Sequence, residues 1–134
     1  MIRLLDSNVC IVLMRGKKPK VKAKFQSFLP DDLVTCSIVH AELRVGAIRS
    51  NSPQTETAKV EAFLVPFQSH PFDDAAAVKY AEIRADLEIR RQVIGEVDTM
   101  IAAIVKVHGL IMVTHNTNEF SRIPGLKLED WEAP

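Results

Sequence analysis

Four acidic residues, Asp6, Glu42, Asp98 and Glu119, stand where the surrounding pattern favours apolar side chains. Asp6 ends the apolar run from Ile2 to Leu5. Glu42 sits among Ile38, Val39, Ala41 and Val45, spaced for the apolar side of a helix. Asp98 precedes Ile101 and Ala102 by one turn, and Glu119 precedes Phe120. An unpaired carboxylate costs several kcal/mol to bury, so such groups pair, take up a proton or bind a cation. Four that converged would repel one another unless a cation neutralised them. An all-oxygen donor set favours a hard ion such as Mg²⁺ or Mn²⁺. A bound ion of this kind acidifies its water and stabilises charge at a scissile phosphate. Each acid also has a plainer reading. Asp6 and Asp98 are good helix N-caps, Glu42 has Arg44 and Arg49 within reach as partners, and Glu119 fits an exposed loop. The joint pattern carries the inference.

Other chemistries fit less well. His40, His70, His108 and His115 lack zinc-ligand spacing, and neither Cys10 nor Cys36 has a second ligand nearby. There is no glycine-rich phosphate loop and no nucleophile elbow. Asn8 stands where a phosphoaspartate enzyme that used Asp6 would want a second acid.

The elements that must position these acids follow from apolar spacing. Ile2–Leu5 reads as a buried strand, and Asp6-Ser7-Asn8 supplies the cap of a helix over Val9–Met14 that Gly16 stops. Pro19 opens a second helix carrying Val21, Phe25, Phe28 and Leu29 towards the core. Leu33–Cys36 is a second strand, after which Ser37 caps a helix running to about Ile48. Val60, Phe63, Leu64 and Phe67 mark another helix, and Phe67–His70 a short third strand. Asp73-Asp74 opens a long helix whose apolar face is Ala76, Tyr80, Ile83 and Leu87. Asp98 begins the next, with Ile101, Ala102 and Val105 inward. Leu110–Val113 is the clearest strand, a continuous apolar run suited to a parallel sheet covered on both faces. A helical turn over Asn118–Arg122, an edge strand over Leu126–Leu128 and a packed Trp131 complete the chain. Strands alternating with helices predict a three-layer α/β/α sandwich with a mainly parallel central sheet. Ligands bind beyond the C-terminal ends of such strands, where Asp6 and Thr114-His115-Asn116 lie.

The chain has 134 residues, 47% hydrophobic and 25% charged, the size and make-up of one domain able to fold without disulfides. Seventeen basic residues balance seventeen acidic ones, so nucleic-acid binding would have to come from a local patch. Arg15-Gly16-Lys17-Lys18-Pro19-Lys20, continued by Lys22 and Lys24, is the candidate. Cys10 and Cys36 lie among apolar neighbours and read as small buried hydrophobes of a reducing compartment. No stretch approaches the ~20 apolar residues of a membrane span, and no signal segment precedes Asp6. A cytoplasmic protein without membrane association is the expectation.

Together the motifs Leu4-Leu5-Asp6-Ser7-Asn8-Val9, Ala41-Glu42-Leu43 with Gly46, Ile94-Gly95-Glu96-Val97-Asp98 with Ile101-Ala102-Ala103, and Val113-Thr114-His115-Asn116 with Glu119-Phe120 resemble the PIN-domain family. Within it they resemble the VapC toxins of type II toxin–antitoxin pairs. The resemblance spans Met1 to Asp130-Trp131 and implies a single PIN domain over 1–134. It implies a Mg²⁺- or Mn²⁺-dependent endoribonuclease that cuts structured RNA and leaves 5′-phosphate and 3′-hydroxyl ends. Asp6 and Asp98 would be the main metal ligands, with Glu42 and Glu119 completing the pocket. Ser7, Thr114 and Asn116 would hold carboxylates and the attacking water. Lys17, Lys18 and Lys20 would contact RNA phosphates. The run from Gly109 to Phe120 is similar to relatives that cut the anticodon loop of initiator tRNA. The family also implies a homodimer and a cognate VapB-like antitoxin in a hetero-oligomer, with an antitoxin Arg set against the acids. Two positions depart from the pattern: Glu119 where many relatives have Asp, and Glu96, an extra acid read as solvated. The readings from outside the toxin class are a PIN nuclease of RNA processing and a catalytically weak RNA-binding PIN module.

Overall fold

The computed structural model describes residues 1–134. Strand β1 (Arg3–Leu5) runs down the middle of a five-stranded sheet. It lies between β2 (Leu33–Cys36) and β4 (Ile111–Val113), with β3 (Gln68–His70) and β5 (Lys127–Glu129) at the two edges. Every pairing is parallel, with Leu4 opposite Val34 on one side and Met112 on the other. Parallel strands need crossovers, and these are α1 (Ser7–Arg15), α2 (Pro19–Gln26), α3 (Ser37–Ile48), α4 (Pro53–Leu64), α5 (Asp74–Ile89), α6 (Glu96–Val107) and α7 (Thr117–Phe120). The chain steps one way across the sheet from β1 to β3, then crosses back to β4 and β5. Right-handed crossovers therefore set α1–α4 on one face and α5–α7 on the other. The expected sandwich is the observed one.

That reversal makes the C-terminal ends of β1 and β4 the topological switch point, the place where an open parallel sheet leaves a crevice. Leu4, Leu5, Met112 and Val113 are buried beneath it. On the far face Ile101 to Val105 of α6 are all buried, so this helix is clasped by the sheet and by α5. Cys10 and Cys36 are free and buried, as expected. Burial raises both thiols, Cys36 to about 11, which keeps them protonated and inert. No helix is long and apolar enough to cross a membrane.

Several expectations require correction. Leu29 lies past the end of α2 and is 72% exposed, because the helix stops at Gln26 before a 3-10 turn over Pro30–Asp32. The buried stripe of α3 is Val39, Leu43 and Ala47, while Ala41, Glu42 and Val45 face outward. Ser37 does not cap α3; its hydroxyl instead accepts the Phe72 N–H at 3.1 Å. Helix α6 starts two residues before Asp98, with Gly95 in the cap position. Phe67 falls outside α4 but packs against Phe25 and Phe63.

Candidate active site

The pocket is built outward from Asp6. Strand β1 ends there because the Asp6 side chain accepts the Ser7 N–H at 2.8 Å, capping α1 and turning the backbone into the helix. Its other oxygen accepts the Thr114 hydroxyl at 2.8 Å, tying the end of β1 to the residue after β4. The Thr114 hydroxyl in turn accepts the Asn116 N–H at 3.0 Å. Asn116 Nδ2 donates to Glu119 at 3.3 Å, which orients that carboxylate from the first turn of α7. Ser7 donates its hydroxyl to Glu42 at 2.6 Å, linking the exposed face of α3 to the start of α1. Ser7, Thr114 and Asn116 thus each grip one of the acids.

Asp98 comes from the opposite face of the sheet. It occupies the third position of α6, where unpaired helix N–H groups favour an acid. The field of the other acids outweighs that support. Burial, then Asp6, Glu42 and Glu119, push its carboxyl up to about 6. Burial also raises Asp6, and Glu42 adds to the effect, although the hydrogen bonds from Thr114 and Ser7 pull the other way. None of the four acids forms an ion pair with Lys, Arg or His. Asp6, Glu42 and Glu119, drawn from the other elements, thus act on Asp98 with no ion pair to offset them.

The donor set suits Mg²⁺ or Mn²⁺: carboxylate, hydroxyl and amide oxygens, with no thiolate or imidazole. No three acidic, histidine or cysteine side chains stand close enough to cage an ion by themselves. Mg²⁺ commonly keeps several waters and takes only one or two carboxylates directly, so it would not need such a cage. Glu96, the extra acid, is exposed at the first position of α6.

The basic residues are less free than their run suggested. Lys17 is exposed, but Lys18 pairs with Glu132 and Lys20 donates to the Ala133 carbonyl. One feature escaped sequence reasoning altogether. A groove of about 510 Å³ opens from Glu42 along α1, α3 and α4, walled by Ile11, Met14, Leu43, Ala47 and Val60. Gly46, open to solvent where a Cβ would meet nothing within 4 Å, is the one local signal for it.

A PIN domain profile matches residues 3–126. The chain is 36% identical over 128 residues to the tRNA(fMet)-specific endonuclease VapC of Shigella flexneri, with 96% of each chain covered. Among solved structures, it resembles VapBC of Salmonella typhimurium bound to DNA, with a TM-score of 0.91 at 34% identity, covering 98% of both chains. It also resembles VapBC2 of Rickettsia felis bound to a DNA fragment from its promoter, with a TM-score of 0.90 at 30% identity, covering 98% of this chain and 100% of that one.

Proposed function

The chain belongs to the PIN domain family, and from that membership we propose a metal-dependent endoribonuclease toxin of a type II toxin–antitoxin pair, built as one PIN domain over 1–134. The observation that carries this reading is that Asp6, Glu42 and Glu119 all act on Asp98 at the switch point with no ion pair to offset them. Asp6 and Asp98 are the principal ligands in this reading, and Glu42 and Glu119 act directly or through water. A bound Mg²⁺ or Mn²⁺ supplies a water nucleophile near neutral pH and neutralises charge at the phosphate.

The chain's own groups do the positioning. Thr114 and the Ser7 N–H fix both oxygens of Asp6, so its geometry is set before substrate arrives. Ser7 and Asn116 do the same for Glu42 and Glu119. Lys17, Lys18 and Lys20 provide phosphate contacts that position RNA without reading bases. The names of two relatives, tRNA(fMet)-specific endonucleases, support initiator tRNA as the substrate. The groove beginning at Glu42, its apolar floor edged by Arg15, Glu56 and Lys59, suits an amphipathic helix of a VapB-like antitoxin, with an Arg reaching the acids. Val45 and Ile48, 47% and 65% exposed on α3, suit a second copy of the chain in a homodimer.

The deciding experiment incubates antitoxin-free protein with total tRNA and rRNA in Mg²⁺, Mn²⁺ or EDTA, beside an Asp6→Asn variant. Asparagine still caps a helix, so the variant keeps the cap on α1 while losing the charge and the oxygen that accepts the Thr114 hydroxyl. Cuts that need metal and vanish in the variant are expected. Intact RNA after incubation with metal-loaded protein would leave an RNA-binding module instead.

A further inference from the structure

The last turn of the chain lies across the start of α2. Lys18 pairs with one oxygen of Glu132, and Lys20 donates to the neighbouring Ala133 carbonyl. The second Glu132 oxygen stands 3.9 Å from His115 Nδ1. Asp130 lies 3.1 Å from the same nitrogen and accepts the Glu132 N–H at 2.9 Å. The segment is held rigidly. Trp131 is buried, its ring stacked on Phe28 at 5.6 Å, and its indole N–H donates to Glu129 at 3.1 Å. Glu129 is itself locked by two bonds from Arg3, at 2.9 and 2.8 Å. Glu132 is the covered partner, its side chain 15% exposed, whereas Lys18 is 54% exposed and reachable from solvent. His115 directly follows Thr114, whose hydroxyl bonds Asp6. The cluster therefore sits on the rim of the acidic pocket.

A fixed carboxylate with nitrogen donors on two sides offers the charge and acceptor geometry of a phosphodiester. We infer that Lys18, Lys20 and His115 form an RNA-phosphate subsite on the pocket rim, and that Glu132 occupies it in the free protein as a built-in competitor. The inference rests on the RNA-cleaving reading above. Substrate displaces Glu132 by engaging Lys18, the end of the pair that is open to solvent. Lys17 makes no such contact, so its contribution to binding is independent of Glu132.

The test measures binding of a labelled initiator-tRNA anticodon stem-loop to Asp98→Asn protein, which leaves the RNA uncut, from 50 to 300 mM KCl. Adding Glu132→Gln tightens Kd about three- to tenfold at the lowest salt and steepens the salt dependence by about one phosphate contact, roughly 0.7–0.9 in log–log slope. Glu132→Ala, which keeps no acceptor, changes both in the same direction. In a Lys18→Gln background the effect of either substitution at Glu132 shrinks, although Lys17→Gln still weakens binding. Equal affinity and slope with and without Glu132 would overturn the competitor while leaving the RNA reading intact. Weaker binding without Glu132 would also overturn it, making Glu132 a positioning residue for α2. RNA bound by neither protein would remove both readings together.

Discussion

Asp98 bears the electrostatic load of the pocket, and its protonation is tied to folding. Its carboxyl is raised from 3.8 to about 6 by burial and by the other three acids. The folded chain therefore holds a proton there more tightly than the unfolded chain does. The associated stability is fully present below about pH 4 and is lost as the pH rises through about 6. The interval corresponds to about 3 kcal/mol, which solvent around this half-exposed side chain screens to about 1 kcal/mol. In EDTA at pH 7.5, Asp98→Asn is expected to melt about 3–5 °C above the parent. At pH 4 the two should melt together. Equal melting at both pH values would show that the carboxylates do not feel one another.

At the scale of elements, α1 matters because its first turn carries the Asp6 cap and the Ser7 hydroxyl. Its other end is closed by Gly16, whose φ of 65° is left-handed and whose N–H donates to the Val12 carbonyl at 3.1 Å. A Cβ at Gly16 meets nothing within 4 Å, so an alanine there is opposed by backbone strain alone. Gly16→Ala should lower stability by about 1 kcal/mol, seen as a shifted denaturant midpoint, with cleavage per folded molecule unchanged. On the opposite face, Arg90 ties the end of α5 to the chain beyond α7 through the Arg122 carbonyl at 2.7 Å, and Arg122 donates back to the Val93 carbonyl at 3.3 Å. The exposed pairs along α5, Lys79–Glu82, Arg84–Glu88 and Asp86–Arg90, are screened by solvent and add little.

For the whole molecule, acids drawn from both faces of the sheet would make binding of the proposed metal a folding event. An ion that binds only the folded chain stabilises it by about 2.7 kcal/mol at one hundred times its dissociation constant. Mg²⁺ is therefore expected to raise the melting temperature of the parent by several degrees, while equal ionic strength from NaCl does not. The Asp6→Asn/Asp98→Asn double variant should show no Mg²⁺-specific rise. A rise of the same size in that variant would place the ion elsewhere.

Local chemistry determined a good part of this. The runs Leu4-Leu5 and Ile111-Met112-Val113, cut off by polar residues, read as buried parallel strands because they are too short for a helix. The alternation of such runs with amphipathic segments implies the sandwich, and a parallel sheet must gather Asp6 and Thr114 at one edge. On α5 the spacing picked out Ala76, Ile83 and Leu87, which are buried, although Val78 and Ile89 are apolar too and face solvent. Helix α3 was less legible, since Ile38, Val39, Ala41, Leu43 and Val45 put apolar groups on several faces. Its packing against α1, α4 and α6 selected Val39, Leu43 and Ala47 and turned Glu42 outward to meet Ser7. Nor does any local pattern link Lys18 to Glu132, 114 positions away. Spacing along the chain determines which side chains share a face, but only the closed sheet, by juxtaposing segments remote in sequence, decides which charges meet across it.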